Sequence, residues 1–176
     1  MKPSLIVRRF LIPSLLISVI AFVRYRALVS PRAEVEISPL LKLGRKVEVS
    51  SFTKIKATSG VLSIGPHTAI ASGCFIGSGE AGTEIGSHCL VGPNCSIVSS
   101  SYRYEKLDVP FALQGHQSKG TRIGNNVLLG SGTVVIDGAD IGDGVMVGAN
   151  SVVTGRIPAN TVIGGNPARV LFKRRE

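Results

Sequence analysis

The stretch that decides the fold is residues 123–153, IGNNVLLGSGTVVIDGADIGDGVMVGANSVV, in which an aliphatic residue returns at every sixth position. These positions are Ile123, Leu129, Val135, Ile141, Val147 and Val153. A helix requires apolar residues at spacings of three and four, and a half-buried strand requires simple alternation. A strict period of six instead indicates a repeat in which each unit is one short, flat side of a coil. The sequence therefore predicts an all-β solenoid.

Two further positions of each repeat are restricted to small or permissive residues. Glycine follows the aliphatic residue at positions 124, 130, 142 and 148, and a small or β-branched residue comes four places after it. Both positions are therefore predicted to be sterically tight. The position three places on holds Asn or Gly, such as Asn126 and Gly144. These residues tolerate positive φ best, so a corner of the coil is expected there.

The irregular intervals of the repeat share one place in the coil. The period extends back to Ile37, and with three hexads per turn every insertion follows the same side, which holds Ile37, Ile55, Ile76, Ile97, Val135 and Val153. Three extra residues follow Ile55 and Ile76, twenty follow Ile97, and four separate Val153 from Ile163 beyond the normal step. Random loops would not share one corner, so this registration supports three hexads per turn. It predicts between five and six turns with one long loop at about 101–122.

The positive charge is concentrated at the N-terminus. Residues 1–32 contain six Lys or Arg and no acidic residue, which leaves a net charge of only +3 for the remainder. The repeat region has no basic stripe interleaved with aromatic residues, so nucleic acid is not an expected partner. We therefore divide the chain into a basic, apolar segment at 1–32, predicted to associate with a membrane, and a repeat domain at 33–176.

An apolar run, Leu11 to Val23, dominates the N-terminal segment. It is thirteen residues without a charge, flanked by Lys2, Arg8 and Arg9 before it and by arginines after it. Because about 20 apolar residues are needed to span a bilayer, the sequence favours an interfacial helix at an anionic membrane surface. A helix packed on the end of the solenoid and a true span remain as alternatives.

Three segments carry a resemblance to a known family: IGPHTAIASGCFIG from residue 64, IGSHCLVGPNCSIV from residue 85, and residues 123–171 with the terminal GGNPARV. Together they resemble the hexapeptide-repeat acyltransferases, especially the maltose and galactoside O-acetyltransferases and relatives that acetylate surface polysaccharides. The resemblance covers about residues 37–172. It implies a left-handed parallel β-helix, a homotrimer, acetyl-CoA as donor and a sugar hydroxyl as acceptor. It also implies a bacterial, cytoplasmic enzyme, which the N-terminal segment would hold at the inner membrane surface.

The same resemblance supplies candidate binding residues. Asn94, in the sequence GPN, matches a position that contacts the acceptor, and Gln114 belongs to the retained PFALQG of the loop. The positions that match the acetyl-CoA site are Ser131 near the thioester, Ala149 and Thr154 along the pantetheine arm, and Arg169 and Lys173 near the nucleotide phosphates. Leu128 stands where the group often has Trp, which affects pantetheine packing rather than the fold.

The long loop departs from the family at its catalytic position. Relatives often have Asn-His just after the strand, whereas this chain has Ser101 and Tyr102. Acetyl transfer needs a base near the acceptor proton, and a Tyr with an ordinary pKa near 10 is a poor one. His116 is therefore the candidate base, with Tyr102 aligning the acceptor. A catalytically degenerate solenoid that serves as a binding or scaffold module is the alternative. Phe111 and Leu113 beside Pro110 further suggest a packed loop.

The remaining histidines and the cysteines fit the repeat. His67 and His88 fall one turn apart at the corner position, and Cys74, Cys89 and Cys95 fall at the small core position. We therefore predict stacked corner histidines and three reduced core thiols. A zinc site like that of the γ-class carbonic anhydrases would need three convergent ligands, and the third histidine lies in the distant loop. No metal site is predicted.

Overall fold

A computed structural model describes residues 13–175, apart from the side chain of Ser14. The chain forms a coil whose turns build three parallel sheets, named faces A, B and C. Face A contains β2 (Glu34–Val35), β5 (Lys54–Lys56), β8 (Phe75–Gly77), β11 (Ser96–Val98), β16 (Val134–Val135) and β19 (Val152–Val153). Face B contains β3 (Leu41–Leu43), β6 (Leu62–Ile64), β9 (Thr83–Ile85), β14 (Thr121–Ile123), β17 (Asp140–Ile141) and β20 (Arg156–Ile157).

Face C contains β1 (Leu28–Val29), β4 (Glu48–Val49), β7 (Ala69–Ile70), β10 (Leu90–Val91), β15 (Leu128–Leu129), β18 (Met146–Val147), β21 (Thr161–Gly164) and β22 (Arg169–Lys173). The last of these strands runs antiparallel to its neighbour. A separate hairpin in the long loop pairs β12 (Ser101–Tyr102) with β13 (His116–Gln117), and a 3-10 helix at Phe111–Leu113 lies between them. Helix α1 (Ser14–Tyr25) precedes the coil. The predicted parallel solenoid with three hexads per turn, a long loop and an N-terminal helix is confirmed.

The core consists of the predicted aliphatic residues stacked in columns. Ile55, Ile76 and Ile97 are fully buried and pair in register along face A. Two assignments at the ends of the repeat were wrong. Val35, and not Ile37, pairs with Ile55, and Ile157 occupies the face B position between Val153 and Ile163. Both errors arise at the step from face A to face B, which is eight residues from Val35 to Leu43 and four from Val153 to Ile157 instead of six.

All of the irregularity lies at one corner. The steps from face B to C and from C to A are six residues in every turn, whereas the step from A to B varies. It is eight residues after Val35, six after Val135 and four after Val153, and it contains the whole long loop after Ile97. The corner from A to B is therefore the one place where the coil accepts inserted chain, and β12 and β13 project from it.

The corner positions behave as predicted. His67 and His88 have φ of 59° and 57°, and their rings stack with centroids 4.8 Å apart and an interplanar angle of 3°. Asn126 and Gly144 continue the same column at φ of 54° and 67°. The left-handed conformation is thus a property of the corner that successive turns share.

The three cysteines are buried and free, as expected for core residues. Each thiol donates a hydrogen bond to a glycine carbonyl of the next turn, for example Cys89 Sγ to Gly124 O at 3.1 Å. Thr68 makes the equivalent bond with its hydroxyl to Gly86 O at 2.7 Å. Burial raises the pKa of the Cys89 thiol. Contact with the Cys74 side chain, together with burial, raises that of Cys95.

Helix α1 packs on the first turn of the coil. Ile17 and Ala21 are buried within the core cluster that also contains Val29 and Leu41, and the Tyr25 hydroxyl lies 3.4 Å from Leu41 O. The packed-helix alternative therefore holds for one side of this helix. Strand β1 lies within the segment 1–32, so the coil begins before residue 33. Lys2, Arg8 and Arg9 lie outside the described residues, as do the first two residues of the apolar run. Within residues 13–175, no helix combines the length and hydrophobicity required to cross a membrane.

Candidate functional site

The hairpin of the long loop brings together the two candidate catalytic residues. Tyr102 on β12 and His116 on β13 are direct cross-strand partners, and their ring centroids are 4.1 Å apart with an interplanar angle of 43°. Both side chains are exposed. Although fourteen residues separate them in sequence, the imidazole lies against the phenol ring that occupies the expected histidine position. The two exposed side chains are close enough for one small molecule to contact both.

Gln114 closes the loop internally. Its side-chain amide donates to Lys106 O at 2.8 Å and Val109 O at 2.7 Å, and its carbonyl accepts from Lys106 N at 3.0 Å. These bonds occupy both ends of the amide. Gln114 therefore shapes the turn that returns the chain to β13. Its side-chain hydrogen bonds are all made to the backbone of the loop, so this role does not depend on a bound substrate.

The apolar side chains of the loop point outward. Phe111 and Leu113 are 67% and 76% exposed, and Leu107 is fully exposed. The predicted apolar anchors of the loop therefore do not pack on the coil of their own chain. Within one chain the loop is held by its backbone pairing and by Gln114, which leaves an apolar tip without cover in the described residues. Such a tip is suited to contact with another molecule.

The strands of face A begin along one edge of that face and end along the opposite edge, and Asn94 lies at the edge where they begin. It occupies the corner that precedes β11, with φ of 59°, and its backbone N–H donates to Ser72 O at 3.0 Å. Tyr102 lies beyond the opposite end of β11. A single chain therefore does not bring Asn94 to the Tyr102–His116 pair, although the sequence suggests one common site for them.

Ser131 and Ala149 lie together on the same corner as Asn94. They occupy adjacent turns, and Asn150 N donates to Ser131 O at 2.8 Å. A groove of about 410 Å³ runs from this corner along face C, and its lining includes Ser131, Gly92 and Leu128. Gly92 and Gly130 have no side chains to fill the groove, and Leu128 is 37% exposed along it. A narrow, flexible chain such as a pantetheine arm fits a groove of this form.

The two candidate phosphate-binding residues are at opposite ends of β22. Arg169 pairs with Gly164, and the neighbouring Ala168 N donates to Val152 O at 2.8 Å, which places Arg169 near the corner of Ala149. Lys173 pairs with Thr161 instead. At about 3.3 Å per residue, about 13 Å of strand separates the two basic residues. Arg169 thus joins Ser131 and Ala149, whereas Lys173 does not.

Thr154 is also apart from this group. It is exposed just beyond β19, at the end of that strand remote from Ala149. Both residues therefore border face A, but at its two edges. As with Asn94 and Tyr102, a site that used both of them would have to extend across the face or combine two copies of the chain.

Faces B and C present different surfaces to their surroundings. Face B carries charged residues that pair with one another, including Arg122 to Asp140 at 3.1 Å, and this hydrogen bond raises the pKa of Arg122. Face C instead presents an apolar stripe in which Leu28, Leu90 and Met146 are 55%, 54% and 43% exposed. This stripe could have been predicted from the sequence, because each of its residues directly precedes a buried aliphatic position and must therefore point outward. Face C has the character of an interface.

A metal site has no basis in the part of the chain that the structure describes, where no three His, Cys, Asp or Glu side chains converge. His116 is far in sequence from the stacked pair His67 and His88, and those two rings lie flat against each other. Parallel stacked rings do not direct their nitrogens to one central ion.

Comparison with known proteins agrees with the predicted resemblance. Residues 120–155 match the family model described as "Bacterial transferase hexapeptide (six repeats)". A candidate lipopolysaccharide biosynthesis O-acetyl transferase of Escherichia coli, WbbJ, is 37% identical over 127 residues, which are 72% of this chain and 57% of that protein. The chain spans about half the length of the curated relatives it matches.

Solved structures show the same fold. A maltose O-acetyltransferase from Clostridium difficile aligns with a TM-score of 0.59 and 27% identity, over 80% of this chain and 70% of that one. A single-residue mutant of the N-acyltransferase AntD from Bacillus cereus, in complex with dTDP and coenzyme A, aligns with a TM-score of 0.77 and 19% identity, over 89% of this chain and 88% of that one. The resemblance to hexapeptide-repeat acyltransferases is confirmed.

Proposed function

We propose that this chain is an acetyl-CoA-dependent O-acetyltransferase that acts on a sugar hydroxyl of a surface polysaccharide or its precursor. The observation that carries the proposal is the pairing of His116 with Tyr102. The chain lacks the histidine usual at the position of Tyr102, yet its backbone register supplies an imidazole from the opposite strand. The relatives support acyl transfer, and WbbJ supports a surface glycan as acceptor.

The reaction requires one base and one stabilised oxyanion. The His116 imidazole accepts the proton of the acceptor hydroxyl as its oxygen attacks the thioester carbonyl of acetyl-CoA. The carbon–oxygen bond forms, and the carbonyl oxygen becomes an oxyanion, which a donor at Ser131 stabilises. When the intermediate collapses, the carbon–sulfur bond breaks and the imidazolium returns the proton to the sulfur of coenzyme A. The base is regenerated without any further reactant.

Acetyl-CoA would lie along the groove of face C. Ser131 and Ala149 border the pantetheine arm at the corner, and Arg169 is the basic residue nearest to them for the nucleotide phosphates. Its planar guanidinium suits bidentate phosphate binding. Thr154 and Lys173 remain proposed contacts of acetyl-CoA. Thr154 lies beyond the end of β19, and Lys173 lies at the end of β22 that is remote from Arg169.

The complete site requires a second copy of the chain. Tyr102 and His116 project from one edge of face A, whereas Asn94 and Ser131 lie at its other edge. A homotrimer with cyclic symmetry would bring the loop of one copy to the corner of the next. The exposed Phe111 and the apolar stripe of face C would then be covered, which gives both surfaces a physical purpose.

A mass-shift screen tests the proposed reaction. Purified full-length protein is incubated with acetyl-CoA and candidate sugar nucleotides or lipid-linked glycans, and a product heavier by one acetyl group is sought. Alkali-labile acetylation of a hydroxyl supports the proposal, whereas an alkali-stable amide would show N-acylation. Binding of coenzyme A without turnover on any acceptor would favour the scaffold alternative.

A further inference from the structure

Helix α1 is apolar on the side that faces away from the coil as well as on the side that packs. Ile17 and Ala21 are buried against the first turn, whereas Val19, Phe22 and Val23 are 51%, 59% and 75% exposed. At 100° per residue the exposed residues fall on one arc opposite Ile17 and Ala21. This outward surface, formed by Leu15, Leu16, Val19, Phe22 and Val23, is the outer apolar face. The coil that packs the helix leaves this face uncovered.

The helix is fixed to the coil in one orientation. Arg26 ends it with φ of 52°, and the N–H of Arg26 donates to Phe22 O at 2.9 Å. Lys46 N then donates to Arg26 O at 2.9 Å, which joins Arg26 to the corner of the next turn. The outer apolar face is therefore presented by a rigid element rather than by a loose terminus.

Positive charge borders this face. Arg26 is exposed where the helix ends, and Arg45 and Lys46 are exposed on the adjoining corner, whereas Arg24 falls on the side of Ile17. No acidic residue occurs before Glu34, and Glu34 pairs with Lys54 at 3.3 Å. Glu48 is the acidic residue beside the helix, in a groove that Val19 and Phe22 also line. The basic cluster thus outnumbers the acidic groups that face the helix.

We propose that the outer apolar face and its basic border bind the surface of an anionic lipid bilayer. Twelve residues of helix extend about 18 Å, short of the roughly 30 Å hydrocarbon core, so the helix lies in the interface plane. A second copy of the chain would explain an apolar face, but it would not explain the basic border. The negative potential of an anionic cytoplasmic leaflet does, and this leaflet is the surface to which we assign the contact.

Oligomerisation would strengthen the attachment. In a cyclic trimer, all three copies of the helix lie at the same height along the symmetry axis. Three weak contacts then act together on one membrane plane. This enhancement rests on the proposed trimer, whereas the lipid contact itself requires neither the trimer nor catalysis.

Co-sedimentation of full-length protein with vesicles tests the proposal. Phosphatidylcholine vesicles are compared with vesicles that also contain phosphatidylglycerol. We expect binding to the anionic vesicles, which falls at least about tenfold in a Val19→Ser, Phe22→Ser variant because half-exposed apolar side chains lose their burial. An Arg26→Gln, Lys46→Gln variant should bind about 30-fold more weakly, since each basic residue near the surface contributes about fivefold. Thermal melts establish that each variant is folded.

A matched substitution on an exposed apolar residue elsewhere provides the control. Val61 is 40% exposed on the coil, away from the helix and from the apolar tip of the long loop, so Val61→Ser should bind vesicles as the wild type does. Wild-type protein that sediments with neither vesicle type would overturn the proposal. So would a Val19→Ser, Phe22→Ser protein that changes its oligomeric mass but keeps full vesicle binding, because the face would then be an interface between copies.

Discussion

Replacement of Gly86 by alanine should destabilise the coil far more than the same replacement at Gly148. Both glycines directly follow a buried aliphatic residue, and neither has positive φ. A Cβ at Gly86 would lie 2.5 Å from Gly124 O and 2.6 Å from Gly124 C, both backbone atoms of the next turn. At Gly148 the nearest atom, Ile163 O, is at 3.4 Å.

The difference in magnitude follows from what each neighbour can do. The atoms near Gly86 belong to a hydrogen-bonded backbone turn, so relief requires two turns to separate, and overpacking of this kind costs about 3 kcal/mol. At Gly148 the added methyl meets ordinary contacts, and the lower entropy of the unfolded chain offsets the substitution by about 0.4–1 kcal/mol. For a chain of this size, about 3 kcal/mol lowers the melting temperature by about 6–12 °C.

Thermal melts followed by circular dichroism measure both variants under the same conditions. The expected result is a large fall for Gly86→Ala and a change within a few degrees for Gly148→Ala. If both variants had the melting temperature of the wild type, the close approach of successive turns at Gly86 would be refuted. If both fell equally, the effect would belong to glycine as such rather than to its neighbours.

Arg169→Glu should weaken coenzyme A binding at least about tenfold in calorimetry, since a charge-assisted phosphate contact contributes about 1.5–3 kcal/mol. A larger loss of affinity for Lys173→Glu would show that the phosphates bind at the other end of β22. Burial raises the pKa of Cys89, so native protein retains a proton that unfolded protein loses above about pH 8.5, and stability should fall as pH rises. Cys89→Ser should show a shallower alkaline loss of melting temperature than the wild type, and parallel curves would contradict this. In the proposed trimer, Leu90→Glu would bury an unpaired charge on face C, so light scattering should show the mass of a monomer for this variant. A mass equal to that of the wild type would exclude face C as the interface.

Most of the coil could be predicted because its constraints are local and repeated. The corner residues His67 and His88 adopt the conformation expected from their place in the hexad. The errors at Ile37 and Ile163 occurred where the step from face A to face B departs from six residues. A period cannot reveal an interval that breaks it, and only backbone pairing identified Val35 and Ile157 as the true core positions.

The candidate site was less predictable because it depends on contacts between distant segments. The sequence indicated His116 as a base, but only the antiparallel register of the hairpin placed it against Tyr102. Motif matching predicted one site that contains both Asn94 and the loop residues, although within one chain the length of β11 separates them. Sequence matching assigns residues to a family site without stating which copy of the chain supplies each one.

Acetyl transfer by a His116→Ala protein tests the central claim most directly, once an acceptor has been found. With coenzyme A affinity unchanged, turnover should fall 10²-fold or more, the usual contribution of a general base. Tyr102→Phe, which keeps the ring beside His116 but removes its hydroxyl, should reduce turnover less and serves as the matched variant. Wild-type turnover in His116→Ala would contradict the assignment of the base, and turnover gained by Tyr102→His would instead show that catalysis belongs to the position that Tyr102 occupies.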